Sequence, residues 1–300
     1  MTPADPGSAR DLVTLLSSAS VEVSSRGHHL QDLKDNFATG TDVTITFLPG
    51  DNYRHTVETA TALRRAGFNP VPHIAAREMP TREALDDFLS RARGEADVRR
   101  VLLIAGDVAV ARGPFRSSRE IGASGLLEAH GITAVSIAGH PEGHPFLKRA
   151  HSFSQFEAWR DWGRMTGIDV SILTQFCFES APILGLLGEL DARGITLPVI
   201  IGLAGPASPA TLSKFALRCG IGNSIRALRA QIGRFGRLLT DTGPDDVVRG
   251  LQSAPREATA AIAGFHLFPF GGLRKSGLWL RSAIEESQRQ HPEASLRALS

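Results

Sequence analysis

Cysteine is scarce in this chain, which has only Cys177 and Cys219 among 300 residues. The two form neither a CxxC motif nor a Cys/His spacing typical of metal binding, so we expect neither a disulfide framework nor a metal site. A run of about 18 apolar residues is also lacking, which excludes a predicted membrane span. The N-terminus lacks the basic-then-apolar arrangement of a signal peptide. We therefore expect a cytoplasmic protein with no membrane partner.

An excess of charge of either sign is lacking as well. The chain has 33 basic and 31 acidic residues and a formal net charge of +2, which gives no support for nucleic acid as a partner. One basic cluster is spaced like a solvated helix face, an interpretation that we favour over a phosphate-binding tract. Its members are Arg226, Arg229, Arg234 and Arg237.

Several catalytic motifs are missing. There is no serine elbow and no cysteine-centred arrangement, which disfavours nucleophilic acyl transfer. No P-loop occurs. The glycines at Gly264, Gly271 and Gly272 do not form a GxGxxG motif after a strand, so we do not expect a Rossmann nucleotide site.

The chain does contain a regular alternation of short β-branched apolar runs with amphipathic segments. Eight of these runs predict strands, at 20–24, 43–48, 69–75, 100–105, 132–137, 170–176, 197–202 and 264–268. The segments between them predict helices, at 55–66, 81–93, 118–130, 154–166, 181–193 and 209–219. Eight strand–helix repeats predict a single (β/α)8 TIM barrel. We expect one domain over 1–300, with a helical insertion at about 209–263.

The most distinctive segment is 137–145, with the sequence IAGHPEGHP, which follows the fifth predicted strand. Prolines restrict φ and remove backbone donors, whereas glycines permit conformations that other residues avoid. Such a loop is stiff and has a specific shape. It presents His140 and His144 where a strand ends, so we predict that it lines a ligand site.

Other polar residues lie at the ends of predicted strands, where the βα loops of a barrel form the active site. The alternation of side chains along the first strand leaves two orientations equally open for Glu22, into the barrel mouth or towards the outer surface. Carboxylates, imidazoles and an amide around one cavity would suit proton transfer and hydrogen bonding to a heterocycle. The residues in question are Glu22, Thr46, His73, Asp107, His140, His144 and Gln175.

Together these segments resemble the methylenetetrahydrofolate reductase family over about residues 20–279. Segment 138–145 is similar to the family's alanine-x-tyrosine-proline-x-x-histidine-proline loop, and TQF at 174–176 to its threonine-glutamine-phenylalanine strand end. PHI at 72–74 and AGD at 105–107 resemble its proline-histidine-leucine strand and arginine-glycine-aspartate turn. The resemblance implies a (β/α)8 barrel that holds FAD and reduces methylenetetrahydrofolate to methyltetrahydrofolate with NAD(P)H.

The resemblance also implies a role for each matching residue. Glu22 matches the general acid that helps to open the folate's five-membered ring to an iminium, a task that requires a carboxyl group protonated near neutrality. Asp107 matches the aspartate near the flavin's pyrimidine edge and the folate pterin, and Gln175 matches the glutamine that binds folate. The positions that match flavin-binding residues are Thr46, His73, Gly106, Asp107, His140, His144 and Arg164.

The chain departs from the family pattern in ways that leave the cofactor open. His140 stands in place of a tyrosine, Arg164 in place of a lysine, and 23–25 (VSS) in place of aromatic and proline residues. These changes are compatible with altered FAD binding or with direct hydride transfer from the nicotinamide.

Other functions stay open at this stage. They are an enzyme of the same class that processes one-carbon units released by demethylation, a folate- or flavin-binding subunit that depends on a partner, and a TIM barrel of unrelated chemistry. The sequence does not distinguish NADH from NADPH as the hydride donor. It determines neither the direction of the reaction nor whether the chain forms a homo-oligomer.

Overall fold

The computed structural model describes residues 12–27, 29–48, 50–144, 149–219 and 241–290. The basic cluster at 226–237, Pro145 and the middle of the predicted insertion lie outside these residues. Eight parallel strands close into a barrel in the order β1 to β8, which confirms the predicted fold class. They are β1 (Ser20–Ser24), β2 (Asp42–Thr46), β3 (Asn69–Ala75), β4 (Arg100–Ile104), β5 (Ala134–Gly139), β6 (Asp169–Thr174), β7 (Val199–Ala204) and β8 (Ile262–Phe268).

Helices alternate with these strands, and a 3₁₀ turn (Ala76–Glu78) follows β3. The helices of the described residues are α1 (Leu12–Ser17), α2 (Leu30–Asn36), α3 (Tyr53–Arg65), α4 (Arg82–Ala96), α5 (Ser118–Gly122), α6 (Leu126–Ala129), α7 (Arg149–Thr166), α8 (Ala181–Ala192), α9 (Pro209–Arg218), α10 (Asp245–Gln252), α11 (Arg256–Thr259) and α12 (Leu273–Gln290). In this part of the chain, none of the helices is long and apolar enough to cross a membrane.

Several predicted elements differ from the observed ones, as two examples show. The fifth strand was predicted at 132–137 but runs from Ala134 to Gly139, so the first residues of the predicted histidine loop belong to the strand. The helix predicted at 118–130 is two short helices, α5 and α6. Gly125 separates them with a φ of 74°, a left-handed conformation that glycine adopts without strain and that a continuous helix does not contain.

The chain divides into two compact units. The first comprises Ser20–His140 and Leu147–Thr174, and the second comprises Met1–Ala19, Pro141–Phe146 and Gln175–Ser300. We call the first the β1–β6 unit and the second the β7–β8 unit, after the strands they contain. The expectation of one domain stays a prediction.

The strand register of the β1–β6 unit assigns its side chains to two faces. A Cβ placed on Gly163 of α7 would lie 2.8 Å from Val170 Cγ2, so the face that carries Val170 packs against the helix. In-register residues share a face, and successive residues alternate between faces. The opposite face is therefore the inner one, and it carries Glu22, Thr44, Val71, His73, Leu102, Ser136 and Ser171.

The β7–β8 unit has an apolar core that is rich in phenylalanine. Its buried members are Phe176, Phe178, Ala204, Ala207, Leu212 and Ala216. Helix α9 begins beside this core, where the hydroxyl of Ser208 accepts a hydrogen bond from the backbone N–H of Thr211. Ser208 is thus an N-cap, and Pro209 in the first turn completes the expected helix start. The described part of the predicted insertion consists of α9, α10 and α11.

Candidate active site

Glu22 lies on the inner face of β1, with only 19% of its side chain exposed. Its Oε2 atom is 3.7 Å from Nε2 of His73. Burial raises the pKa of Glu22 from 4.5 to about 7, and a hydrogen bond with the side chain of Thr46 opposes this increase. A carboxyl group with such a pKa is available in its protonated form near neutrality, as a general acid must be. The sequence alone does not decide the orientation of Glu22, whereas the strand register places its side chain on the inner face.

His73 is even more deeply buried, with 6% of the residue exposed. Burial lowers its pKa from 6.5 to about 4, because a charged imidazole is poorly solvated in this position. Neither ring nitrogen has a hydrogen-bond partner among the described residues. His73 is therefore a neutral imidazole beside Glu22. The contact between them joins two uncharged groups near pH 5 to 6 and is not an ion pair.

A small pocket lies where β3 and β4 end. Its volume is about 10 Å³, which is room for about one water molecule, and its lining consists of Phe47, Ala75, Glu78, Ile104, Gly106 and Asp107. The backbone of Gly106 has a φ of 91°, which other residues rarely adopt. Asp107 is exposed and so can accept a hydrogen bond from a ligand. Gly106 and Asp107 both line this pocket, and their contact with a ligand stays a prediction.

The sequence did not point to two side chains beside this pocket. Glu78 lies in the 3₁₀ turn after β3, and its buried carboxylate is 3.1 Å from the guanidinium of Arg112. Tyr53 opens α3, and its hydroxyl exchanges hydrogen bonds with both backbone groups of Ala75. Neither residue comes directly after a strand, where the sequence predicts the site. A useful signal was the tyrosine count, because Tyr53 is the chain's single tyrosine.

The two histidines of segment 137–145 are both half-buried. His140 comes directly after β5 and belongs to the β1–β6 unit, whereas His144 belongs to the β7–β8 unit. Burial lowers the pKa of His144, which favours a neutral ring at physiological pH.

Gln175 comes directly after β6 and belongs to the β7–β8 unit. Its Oε1 accepts a hydrogen bond from the backbone N–H of Phe176 over 3.1 Å. The side chain would therefore meet a ligand through its NH₂ donors. In the same unit, the ring of Phe176 packs edge-on against Phe270 with centroids 4.8 Å apart, and Phe270 stacks on Phe215.

The structure does not bring Arg164 to the strand ends where Glu22, His73 and Asp107 lie. Arg164 is exposed in the last turn of α7, five residues before β6 begins. A helix that connects two parallel strands runs back along the barrel, so its last turn lies beside the starts of the strands. The predicted phosphate contact is thus at the opposite end of the β1–β6 unit. Arg164 therefore does not join the other predicted FAD ligands, and FAD binding stays a prediction.

The described residues contain no candidate metal site. They contain no group of three or more histidine, cysteine, aspartate or glutamate side chains that could hold a metal ion. Cys177 is buried and Cys219 is partly buried.

The comparisons with known proteins agree with the barrel fold. No protein-family model matches the chain. A tetrameric deoxyribose phosphate aldolase from Aeropyrum pernix is 13% identical, with 91% of this chain and 93% of that chain covered and a TM-score of 0.47. An uncharacterized protein from Clostridium thermocellum that binds two copies of 5-methyl-5,6,7,8-tetrahydrofolic acid is 11% identical, with 91% and 95% covered and a TM-score of 0.53. At 11% identity, the likeness to the Clostridium thermocellum protein shows the fold alone. The chain is thus a (β/α)8 barrel protein with a buried acid on its inner face.

Proposed function

We propose that this protein is a folate-dependent one-carbon oxidoreductase. It reduces 5,10-methylenetetrahydrofolate to 5-methyltetrahydrofolate, or catalyses the reverse reaction, with NAD(P)H as the hydride donor. The observation that carries the proposal is the buried Glu22 carboxyl, with its pKa raised to about 7 beside His73. Two further points support it: the resemblance of the strand-end motifs to methylenetetrahydrofolate reductases, and the folate bound by the Clostridium thermocellum protein of similar fold.

Glu22 acts as the general acid in this reaction. Its O–H proton moves to the folate nitrogen whose bond to the methylene carbon breaks, and the other nitrogen forms an iminium with that carbon. Hydride from the reduced nicotinamide then adds to the iminium carbon and forms the methyl group. The products are 5-methyltetrahydrofolate and NAD(P)⁺, and the Glu22 carboxylate regains a proton from solvent. A positioned acid of this kind contributes about 10²- to 10⁴-fold to the rate.

Asp107 binds the folate in this proposal. Asp107 is an exposed acceptor at the pocket beside Gly106, and it accepts hydrogen bonds from the N–H groups of the pterin. This contact orients the substrate and takes no part in the proton transfer.

The hydride passes directly from the nicotinamide to the folate in the route that we favour. FAD supplies a hydride relay in the family that the sequence resembles. The position of Arg164 in the last turn of α7 gives no support to the phosphate contact predicted for FAD, and we propose no step that uses a flavin. A protein that binds FAD through other residues would retain the same role for Glu22.

The test is a turnover assay with purified protein, 5,10-methylenetetrahydrofolate and NADH or NADPH. We expect Glu22→Gln to lower kcat/KM by about 10²- to 10⁴-fold while the Kd for 5-methyltetrahydrofolate stays within a few-fold of the wild-type value. Glu95→Gln is the matched control, because Glu95 is an exposed carboxylate on α4. A wild-type protein that binds no folate would contradict the proposal. A Glu22→Gln variant with unchanged turnover would instead indicate a binding subunit.

A further inference from the structure

Three polar atoms around Glu22 are buried without a hydrogen-bond partner among the described residues. They are Oγ1 of Thr44 and both ring nitrogens of His73. Thr44 is 5% exposed and His73 is 6% exposed. Buried polar groups in proteins are normally bonded either to protein or to ordered water. These three atoms therefore require a partner that the described residues do not supply.

The strand register places these atoms on one surface with Glu22. Glu22 is in register with Thr44, and Thr44 is in register with Val71. His73 follows Val71 by two residues and so returns to the same face. Neighbouring strands are about 4.8 Å apart, which places Thr44 next to Glu22 across one strand boundary. The Glu22 carboxyl is also 3.7 Å from His73 Nε2, too long for a direct hydrogen bond.

The chemistry of the three side chains matches what a buried water molecule requires. A neutral imidazole has one N–H donor and one acceptor nitrogen, a hydroxyl both donates and accepts, and a carboxyl group can do either. A buried water typically makes about three hydrogen bonds to such groups. A polar contact longer than 3.5 Å is also where a bridging water is expected.

We propose that Glu22, Thr44 and His73 form an internal water-binding site on the inner face of β1, β2 and β3. The bound water links the Glu22 carboxyl to Thr44 and His73 and fixes its orientation. Thr44 and His73 are then positioning residues that act on the substrate through Glu22. The water site stands without the proposed function, whereas this positioning role in proton donation rests on it.

The water site is tested on ligand-free protein by ¹⁵N NMR of histidine side chains, with His73→Gln used to assign the His73 signals. We expect Thr44→Val to shift the His73 ring signals and to lower the thermal unfolding midpoint, because the water loses one of its partners. Thr44→Ser, which keeps a hydroxyl, should restore both. Thr56→Val is the matched control: Thr56 is also fully buried with an unpartnered hydroxyl, but it lies on α3. It should leave the His73 signals in place.

His73 signals that do not move in ligand-free Thr44→Val overturn the proposal, whatever the unfolding midpoint does. If they move only after 5-methyltetrahydrofolate is added, the partner of these atoms is the folate, and the water site is likewise refuted. Turnover tests the positioning role separately. We expect Thr44→Val to lower kcat by about 10- to 100-fold, the scale of a small misplacement of a reacting group, with KM little changed. Unchanged kcat refutes the positioning role and leaves the NMR result standing.

Discussion

Oε2 of Glu22 and Nε2 of His73 lie 3.7 Å apart, and folding reverses which of the two side chains holds a proton. Burial raises the pKa of Glu22 from 4.5 to about 7 and lowers that of His73 from 6.5 to about 4. Between about pH 4.5 and 6.5, the unfolded chain therefore carries the proton on the imidazole. The folded protein carries it on the carboxyl group.

The first prediction concerns the pH dependence of stability. The stabilising contribution of protonated Glu22 is complete below about pH 4.5 and is lost as the pH rises through 7, because its folded pKa is raised. The stabilising contribution of neutral His73 is complete above about pH 6.5 and is lost as the pH falls through 4, because its folded pKa is lowered. The two slopes oppose each other in the wild type. Removing either residue therefore exposes the slope of the other.

We expect the unfolding free energy of Glu22→Gln to rise with pH between about 4 and 6.5. That of His73→Gln should fall between about 4.5 and 7. Each change is on the order of 3 kcal/mol, since each pKa moves by about 2.5 units. Urea denaturation at a series of pH values measures both slopes. If the unfolding free energies of the two variants change with pH in the same direction, folding does not exchange the proton between Glu22 and His73.

The second prediction concerns the pH dependence of turnover. Only the protonated form of Glu22 can donate to the folate, so kcat/KM should decrease about tenfold per pH unit above an inflection near pH 7. Asp107→Asn should raise KM and leave that inflection in place, because Asp107 binds substrate in our proposal and donates no proton. If the inflection disappears in Asp107→Asn, Asp107 and not Glu22 is the group that donates the proton.

The third prediction concerns flavin. Arg164 lies in the last turn of α7, away from the strand ends that carry the site. We expect purified protein to lack the visible absorbance bands of an oxidised flavin and still to oxidise NAD(P)H with methylenetetrahydrofolate. Arg164→Ala should leave turnover within twofold of the wild-type value. If the wild-type protein is yellow and Arg164→Ala is colourless, Arg164 does hold a flavin, as the phosphate contact predicted from the sequence implies.

The sequence could predict much of this architecture, because burial imposes a pattern on it. Parallel strands that are covered on both sides are nearly continuous apolar runs, so all eight could be located to within a few residues. Strand ends were less certain: β5 continues through Ala138 and Gly139. Neither residue has a bulky β-branched side chain to mark it as strand.

The site was harder to predict, because its geometry depends on register and on helix direction. Alternation within β1 could not decide which way Glu22 points, whereas its pairing with Thr44 and the packing of α7 on Val170 do. Counting back from Gln175 could not show that Arg164 is at the far end of a helix. The buried carboxylate of Glu78 depends on an arginine 34 positions further along the chain, a distance at which local patterns carry no information.

The last prediction concerns Glu78 and Arg112, which join the 3₁₀ turn after β3 to the loop after β4. Their closest atoms, Glu78 Oε2 and Arg112 Nη1, are 3.1 Å apart, with the glutamate side chain 2% exposed and the arginine 52% exposed. Removing one partner of a pair leaves the other without compensation, and the cost is greater when the remaining charge is the buried one. Arg112→Ala should therefore destabilise the protein by about 1–3 kcal/mol, below the range for fully buried pairs because Arg112 is half exposed.

Glu78→Gln removes the buried charge itself, so the double variant Arg112→Ala/Glu78→Gln should be more stable than Arg112→Ala alone. Urea unfolding of all four proteins gives the coupling free energy directly. Arg91→Ala is the control, because Arg91 pairs with the exposed Glu95 along α4 and such surface pairs contribute at most about 1 kcal/mol. If Arg112→Ala costs no more than Arg91→Ala, the carboxylate of Glu78 is solvated without the arginine. The pair would then contribute little to holding the pocket beside Gly106.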